Sequence, residues 1–138
     1  MFTDAWAELE ELRPEWRHLA TVILLRVMIL NNLRKWESAA IIGEGAIRHY
    51  PDFGALYLAT AHACRNWRGS AEAKVWLLAG EHLLDRQAVF HTMLAAYECQ
   101  LGNLEDAKAE LQNAFEIDPE SRHKALDDRD LAPLWDSL

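Results

Sequence analysis

Apolar residues recur at intervals of three or four along most of the chain, the spacing that places them on one face of an α-helix. The pattern predicts a short helix near the start, a helix pair over 17–32 and 36–49, and another pair that meets at a Gly-Asn turn at residues 102–103. Glycine and proline residues mark the turns between these segments. We therefore expect mostly helix and essentially no β-sheet.

The helix pairs repeat with a period of 34 residues. Two positions of the period carry small residues, namely Ala39, Ala73 and Ala107 at the first and Ala46, Gly80 and Ala114 at the second. Small residues let neighbouring helices approach closely, while larger apolar residues fill the gaps between layers. Pro51 and Pro119 follow the ends of two units, and Asp85 stands at the equivalent position of the other unit.

Residues 88–121 resemble one tetratricopeptide repeat, a helix–turn–helix unit of 34 residues. The matching positions are Leu94, Ala95, Ala107, Leu111, Ala114 and Pro119, whereas His91 and Glu98 stand where the family usually has Trp and Tyr. The resemblance implies one all-α domain over residues 1–138, an α-solenoid. Its parts are an N-terminal capping helix, three repeats and a C-terminal cap, at 1–19, 20–53, 54–87, 88–121 and 122–138.

The last dozen residues resemble the tail of uncharacterised bacterial tetratricopeptide proteins that end in a D-x-DL-x-PLW pattern. We expect a short helix over 120–126 and a last turn capped by Asp130. The apolar residues expected to cover the third repeat are Leu126, Leu131, Leu134 and Trp135. Docking of this tail elsewhere is the minor interpretation.

Composition limits the classes of partner. The chain has 14 Lys and Arg against 22 Asp and Glu, a net charge of −8, and no basic stripe. An acidic chain of this kind is a poor candidate for binding nucleic acid or an anionic membrane. The most apolar run, Leu19–Leu30, contains Arg26 and is too short to span a bilayer. Because the acidic start lacks the order of a signal peptide, we expect a cytoplasmic protein.

Candidate catalytic and metal-binding residues are few. Cys64 and Cys99 fall at apolar positions and are interpreted as reduced packing residues, with a disulfide as the minor alternative. The six histidines fit no metal-ligand spacing, and no C-x-x-C, Walker, G-x-S-x-G or dinucleotide motif occurs. We therefore expect neither cofactor nor metal, and no enzymatic activity. An enzyme of unrecognised type is the competing hypothesis.

Arg26 lies in a row of Val, Ile and Leu, so it must either find a carboxylate or reach solvent along its stem. The candidate carboxylates are Glu8, Glu11 and Glu44.

Several small polar residues and glycines have local interpretations. Gly43 and Gly45 are expected at close approaches between helices, since each lowers helix propensity by about 1 kcal/mol. Ser70 and Asn103 are expected to cap the helices that follow them.

The tetratricopeptide family binds extended or helical peptides in a concave groove lined by the first helix of each repeat. The resemblance implies that ten residues form such a site, namely Leu24, Met28, Asn31, Asn32, Leu58, His62, Arg65, Asn66, Thr92 and Gln100. Leu24, Met28 and Leu58 would take apolar side chains. Asn32, Asn66 and Gln100 would pair with a peptide backbone. Arg65 would hold a carboxylate.

The predicted function is a non-catalytic scaffold that binds a peptide or protein segment of unknown identity in this groove. The alternatives are a self-assembling structural module, which includes a homodimer, and a chaperone like those of type III secretion. The carboxylate clamp of co-chaperones in the family is not expected, because Leu24 and Met28 stand where a cation and an amide would be needed. A groove filled by the protein's own termini or by a second copy is the remaining interpretation.

Overall fold

The structure is a computed structural model that describes residues 14–138, with side chains from Leu19 onward. Its helices are α1 to α8 and a C-terminal 3₁₀ helix, namely Pro14–Asn32, Trp36–His49, Gly54–Trp67, Ser70–Ala79, Glu81–Leu84, Ala88–Gln100, Leu104–Ile117, Ser121–Asp127 and Arg129–Ser137. Residues 14–138 contain no strand, so the prediction of an all-α protein is confirmed. The predicted N-terminal capping helix, with Glu8 and Glu11, lies outside the described residues.

The chain divides into two compact units, one ending at Leu83 and the other comprising Leu84–Leu138. Helices that follow one another along the chain pack together within each unit. In the first unit α1 contacts α2 and α3, α2 contacts α3, and α3 contacts α4. In the second unit α6 contacts α7, α8 and the 3₁₀ helix.

The small residues of the 34-residue period lie where helices meet. All six are buried, namely Ala39, Ala46, Ala73, Gly80, Ala107 and Ala114. They are accompanied in the first unit by fully buried large residues such as Phe53, Leu56 and Leu77. Burial at these positions fits the packing role that the period predicts, because a small side chain there lets the backbones of two helices approach.

Two glycines allow the closest approaches in the first unit. A Cβ at Gly43 would overlap the side chain of Thr60 on α3, and a Cβ at Gly80 would lie 2.6 Å from the Tyr57 ring. Gly80 also separates α4 from α5, so the second helix of the predicted middle repeat is broken there. The prediction for Gly45 is wrong, because nothing lies within 4 Å of a Cβ at that position.

The expected helix caps differ from the observed ones. Ser70 is already the first residue of α4, and Gly69 before it has a φ of 108°, a conformation that glycine adopts without strain. Asn103 does stand at the N-cap of α7, but its side chain makes no capping hydrogen bond and reaches toward Glu98 instead. Asp128, rather than the expected Asp130, caps the 3₁₀ helix by accepting a hydrogen bond from the Asp130 N–H at 3.0 Å.

The C-terminal 3₁₀ helix belongs to the core of the second unit. Leu131 and Leu134 are buried, and Trp135 donates its indole N–H to the Ala125 carbonyl oxygen of α8 at 3.0 Å. Leu126 was expected to join them but is 41% exposed, because it lies on a different side of α8 from the buried Ala125. The tail therefore packs against its own unit.

Candidate functional site

Two of the predicted groove residues are not available to a ligand. Leu24 lies on the inner face of α1 with Ala20 and Val27, and all three are buried. Leu58 is buried as well, because α3 is enclosed by α1, α2 and α4 along most of its length. The expectation that Leu24 and Leu58 line an open groove is therefore wrong.

One predicted residue links α1 to α3 in the first unit, and several others near the ends of these helices are accessible. Asn31 donates its side-chain N–H to the Ala59 carbonyl oxygen at 3.1 Å and so links the two helices. Asn32, His62 and Asn66 are exposed, while Met28 and Arg65 are half-buried. These exposed polar residues are the predicted groove positions that the first unit keeps accessible.

His62 and Asn66 have defined local environments. The His62 ring meets Trp36 edge to face, with 5.4 Å between the ring centroids. Partial desolvation lowers the pKa of His62, and the positive charge of Arg65 lowers it further, so the imidazole is neutral at pH 7. Asn66 donates to the His62 carbonyl oxygen one helical turn earlier, at 3.0 Å.

Thr92 and Gln100 belong to the second unit, where both side chains are engaged. The Thr92 hydroxyl donates to the Ala88 carbonyl oxygen of its own helix at 3.0 Å. Gln100 donates to the Asp130 carbonyl oxygen at 2.9 Å, so the C-terminal 3₁₀ helix uses the amide that was expected to bind a peptide. The grouping of the other eight residues into one groove remains a prediction.

A stripe of exposed apolar side chains runs along the outer face of α1 to Leu33, the residue after its end, and was not foreseen as a site. It consists of Leu19, Val22, Leu25, Ile29 and Leu33, which recur every three or four residues and are between 41% and 60% exposed. We call these five residues the α1 stripe. The inner face of α1 is also apolar, and a helix that is apolar on all sides is normally buried on all sides. The α1 stripe is therefore a surface that the contacts with α2 and α3 leave uncovered.

The charges beside the α1 stripe all have one sign. Between Leu19 and Lys35 the charged residues are Arg26, Arg34 and Lys35, and each is exposed. Arg26 thus extends to solvent, the second of the two outcomes expected for it. Glu44, one of its candidate partners, instead accepts a hydrogen bond from the Cys64 thiol at 3.6 Å and lies 4.0 Å from Arg68. The chain has a net charge of −8, yet the charged residues on α1 beside the stripe and in the turn after it are all basic.

The two cysteines are buried and not joined by a disulfide. Burial raises the pKa of the Cys64 thiol to about 12, and the neighbouring Glu44 carboxylate contributes to the shift. Burial also raises the pKa of Cys99, with a contribution from Asp130. Since the thiolate is the nucleophile, both side chains are suited to packing rather than to covalent chemistry.

A buried polar contact links α6 to α7 in the second unit. His91 Nδ1 lies 2.6 Å from a Glu110 carboxylate oxygen, and its Nε2 lies 2.6 Å from the Asp85 carbonyl oxygen. The His91 ring thus joins α7 to the turn that precedes α6. The only sequence signal for this contact was the replacement of the family's Trp by His91.

Metal-binding clusters and membrane-spanning helices are both absent from the part of the chain that the structure describes. No group of three or more His, Cys, Asp or Glu side chains within 14–138 could hold a metal ion. None of the described helices combines the length and the apolar character needed to cross a bilayer.

Comparison with known proteins adds no relative. No protein-family model matches the chain, and no curated protein shows significant similarity to it.

Proposed function

We propose that the protein is a non-catalytic protein-interaction module built from tetratricopeptide-like helix pairs, and that the α1 stripe is its main binding surface. The observation that carries the proposal is the exposure of five large apolar side chains in one helical row. Contiguous exposed apolar surface with a polar border is typical of protein-binding sites, because water contact with such a patch is unfavourable. Burying the stripe against a partner removes that cost.

The chemistry of the remaining titratable groups supports a non-catalytic role. Both thiols have raised pKa values and are buried. His62 is exposed and has a lowered pKa, but its ring lies against Trp36 rather than beside a nucleophile. Nucleophilic catalysis needs a nucleophile that a base or a lowered pKa activates. Cys64 does contact the Glu44 carboxylate, but its thiol is buried and its pKa is raised rather than lowered.

The test compares two isoleucines of the first unit. Ile29 belongs to the α1 stripe and is 58% exposed, whereas Ile41 lies alone on α2 and is 54% exposed. Affinity capture with the full chain, followed by mass spectrometry, should give partners that Ile29→Asp loses and Ile41→Asp keeps. Since central apolar residues of an interface often contribute about 2 kcal/mol or more, we expect a loss of at least about tenfold in captured partner. Equal capture by both variants would refute the proposal.

The exposed polar residues at the ends of α1 and α3 are the second candidate, namely Asn32 on α1 and His62 and Asn66 on α3, the helix that also carries Arg65. Binding there would use the predicted groove and an acidic or carboxylate-bearing segment. Arg65→Glu should then weaken partner capture at least about tenfold, since a charge-assisted hydrogen bond is replaced by repulsion. A variant that captures its partners normally, while Ile29→Asp does not, would assign the function to the α1 stripe alone.

A further inference from the structure

We propose that the α1 stripe receives an acidic amphipathic helix of another protein. This inference rests on the proposed function and adds the chemistry of the partner. Its basis is the combination of an apolar row with a border in which every charge between Leu19 and Lys35 is positive.

The length and periodicity of the stripe favour a helical partner. From Leu19 to Leu33 the residues advance about 21 Å along the helix axis, roughly four turns. Side chains spaced by three and four residues form a ridge, and the ridge of one helix fits into the groove of another. A partner helix of four turns with apolar residues at the same spacing would cover the stripe from end to end.

The charges select an acidic partner. Arg26 lies beside the middle of the stripe, and Arg34 and Lys35 lie beyond its end. Carboxylates that flank the apolar face of a docked helix at its middle and at one end would face these three cations. Opposite charges across an interface speed association and exclude partners of the wrong sign. A basic amphipathic helix with the same apolar face would meet like charges.

A second copy of this chain fits the stripe less well. A symmetric dimer brings the same patch of both subunits together. Two antiparallel α1 stripes would cross near their midpoint, where Leu25 and Arg26 lie, so that Arg26 would approach its own counterpart. Parallel stripes would also place cation beside cation.

The chain's own first 13 residues are acidic and carry Trp6, Leu9 and Leu12, so their charge suits the stripe. They are the alternative occupant of the stripe, and the Leu9→Asp/Leu12→Asp double variant described below distinguishes them from a partner helix.

The test uses two designed peptides of about 18 residues, the length of a helix that covers the stripe. Both carry leucines at helical spacing, and they differ only in having Glu or Lys at the flanking positions. Titration calorimetry with the full chain should show that the Glu peptide binds at least about tenfold more tightly than the Lys peptide. Raising the salt from about 0.05 M to about 0.5 M should reduce this preference, because exposed charges are screened.

Three variants make the assignment specific. Ile29→Asp should abolish binding of the Glu peptide, and Ile41→Asp should leave it unchanged. Arg26→Glu should weaken the Glu peptide and strengthen the Lys peptide, so that the preference narrows by about tenfold or more. A surface that binds any apolar helix without regard to its charge would not show this change in preference between the two peptides.

Each contrary outcome has its own meaning. If both peptides bind equally and Ile29→Asp abolishes both, the proposed function stands and the acidic partner is refuted. If neither peptide binds while Ile29→Asp and Ile41→Asp capture the same partners, the proposed function fails as well.

A doubled mass in sedimentation that Ile29→Asp abolishes would identify a second copy as the occupant. A rise of about tenfold in Glu-peptide affinity in the Leu9→Asp/Leu12→Asp double variant would identify the chain's own first residues. Either of the last two results overturns the inference.

Discussion

A methyl group added at Gly43 tests the packing of α2 against α3. The Cβ of an alanine there would overlap the Thr60 hydroxyl and lie 3.1 Å from Thr60 Cβ. Thr60 is fully buried, and its hydroxyl oxygen has no hydrogen-bond partner among the described residues. Gly45 is the matched control, because it lies in the same helix with nothing within 4 Å of an added Cβ.

Two effects of opposite sign set the magnitude. Replacing glycine by alanine inside a helix stabilises it by about 1 kcal/mol. Adding a methyl group to a packed contact costs about 1–3 kcal/mol. Gly45→Ala receives only the first effect and should raise the free energy of unfolding by about 0.5–1 kcal/mol. Gly43→Ala receives both, so it should fall about 1–3 kcal/mol below Gly45→Ala.

The assay is urea unfolding followed by far-UV circular dichroism on both variants and the parent chain. Thr60→Ala supplies a second check, since it removes the hydroxyl that the methyl group added by Gly43→Ala would meet. Combined with Gly43→Ala, it should recover stability with a coupling of about 0.5–3 kcal/mol. Equal stability of the two glycine variants, or independent effects of the Gly43 and Thr60 changes, would refute the close approach of α2 and α3.

The further predictions concern three other sites. Ala107→Leu should overpack the contact of α6 and α7 and lower the free energy of unfolding by about 1–3 kcal/mol, and an unchanged melting temperature would contradict the packing role of the small residue. Cys64 should react with an aromatic disulfide at pH about 8 far more slowly in the native chain than in urea, because its pKa is raised to about 12 from 9.0. By the same shift, ionisation of the unfolded thiol favours unfolding above pH 9.0, so alkaline conditions should destabilise the parent chain more than Cys64→Ala. His91→Gln and Glu110→Gln should each destabilise the second unit, and the double variant should show a coupling energy of about 0.5–3 kcal/mol between the two changes. The control Glu116→Gln, at an exposed position, should change stability by less than about 0.5 kcal/mol. Additive effects of the His91 and Glu110 changes would refute the contact.

Helix positions and small-residue contacts could be predicted from the sequence because they depend on local chemistry. The predicted helix over 36–49 has the same bounds in the structure, since turn residues on both sides end the apolar pattern. Ala107 and Ala114 were expected at contacts and are fully buried, because the 34-residue period placed them on the inner side of α7. The assignment to the tetratricopeptide family remains a prediction.

Exposure of individual side chains could not be predicted so well, because it depends on which neighbours a helix has. Leu24 and Leu58 correspond to groove positions of the family, yet the helices around them bury both. Gly43 and Gly45 look alike in sequence. Only the position of α3 beside α2 determines that Gly43 lies against Thr60 while Gly45 has no neighbour within 4 Å of an added Cβ. The α1 stripe is visible as spacing within an apolar run, but its exposure depends on α2 and α3 covering only the inner face.

The packing of each helix against its neighbours in sequence also determines how the chain folds. Consecutive helices such as α1 and α2, or α6 and α7, are joined by short loops and pack together. Closing a short loop costs little conformational entropy. Chains dominated by local contacts fold within microseconds to milliseconds. Once α2 and α3 have been synthesised, they can therefore cover the inner face of α1 quickly, which limits the time in which it can aggregate. The outer stripe gains no such protection from folding, so a partner that covers it would also act on the solubility of the newly made chain.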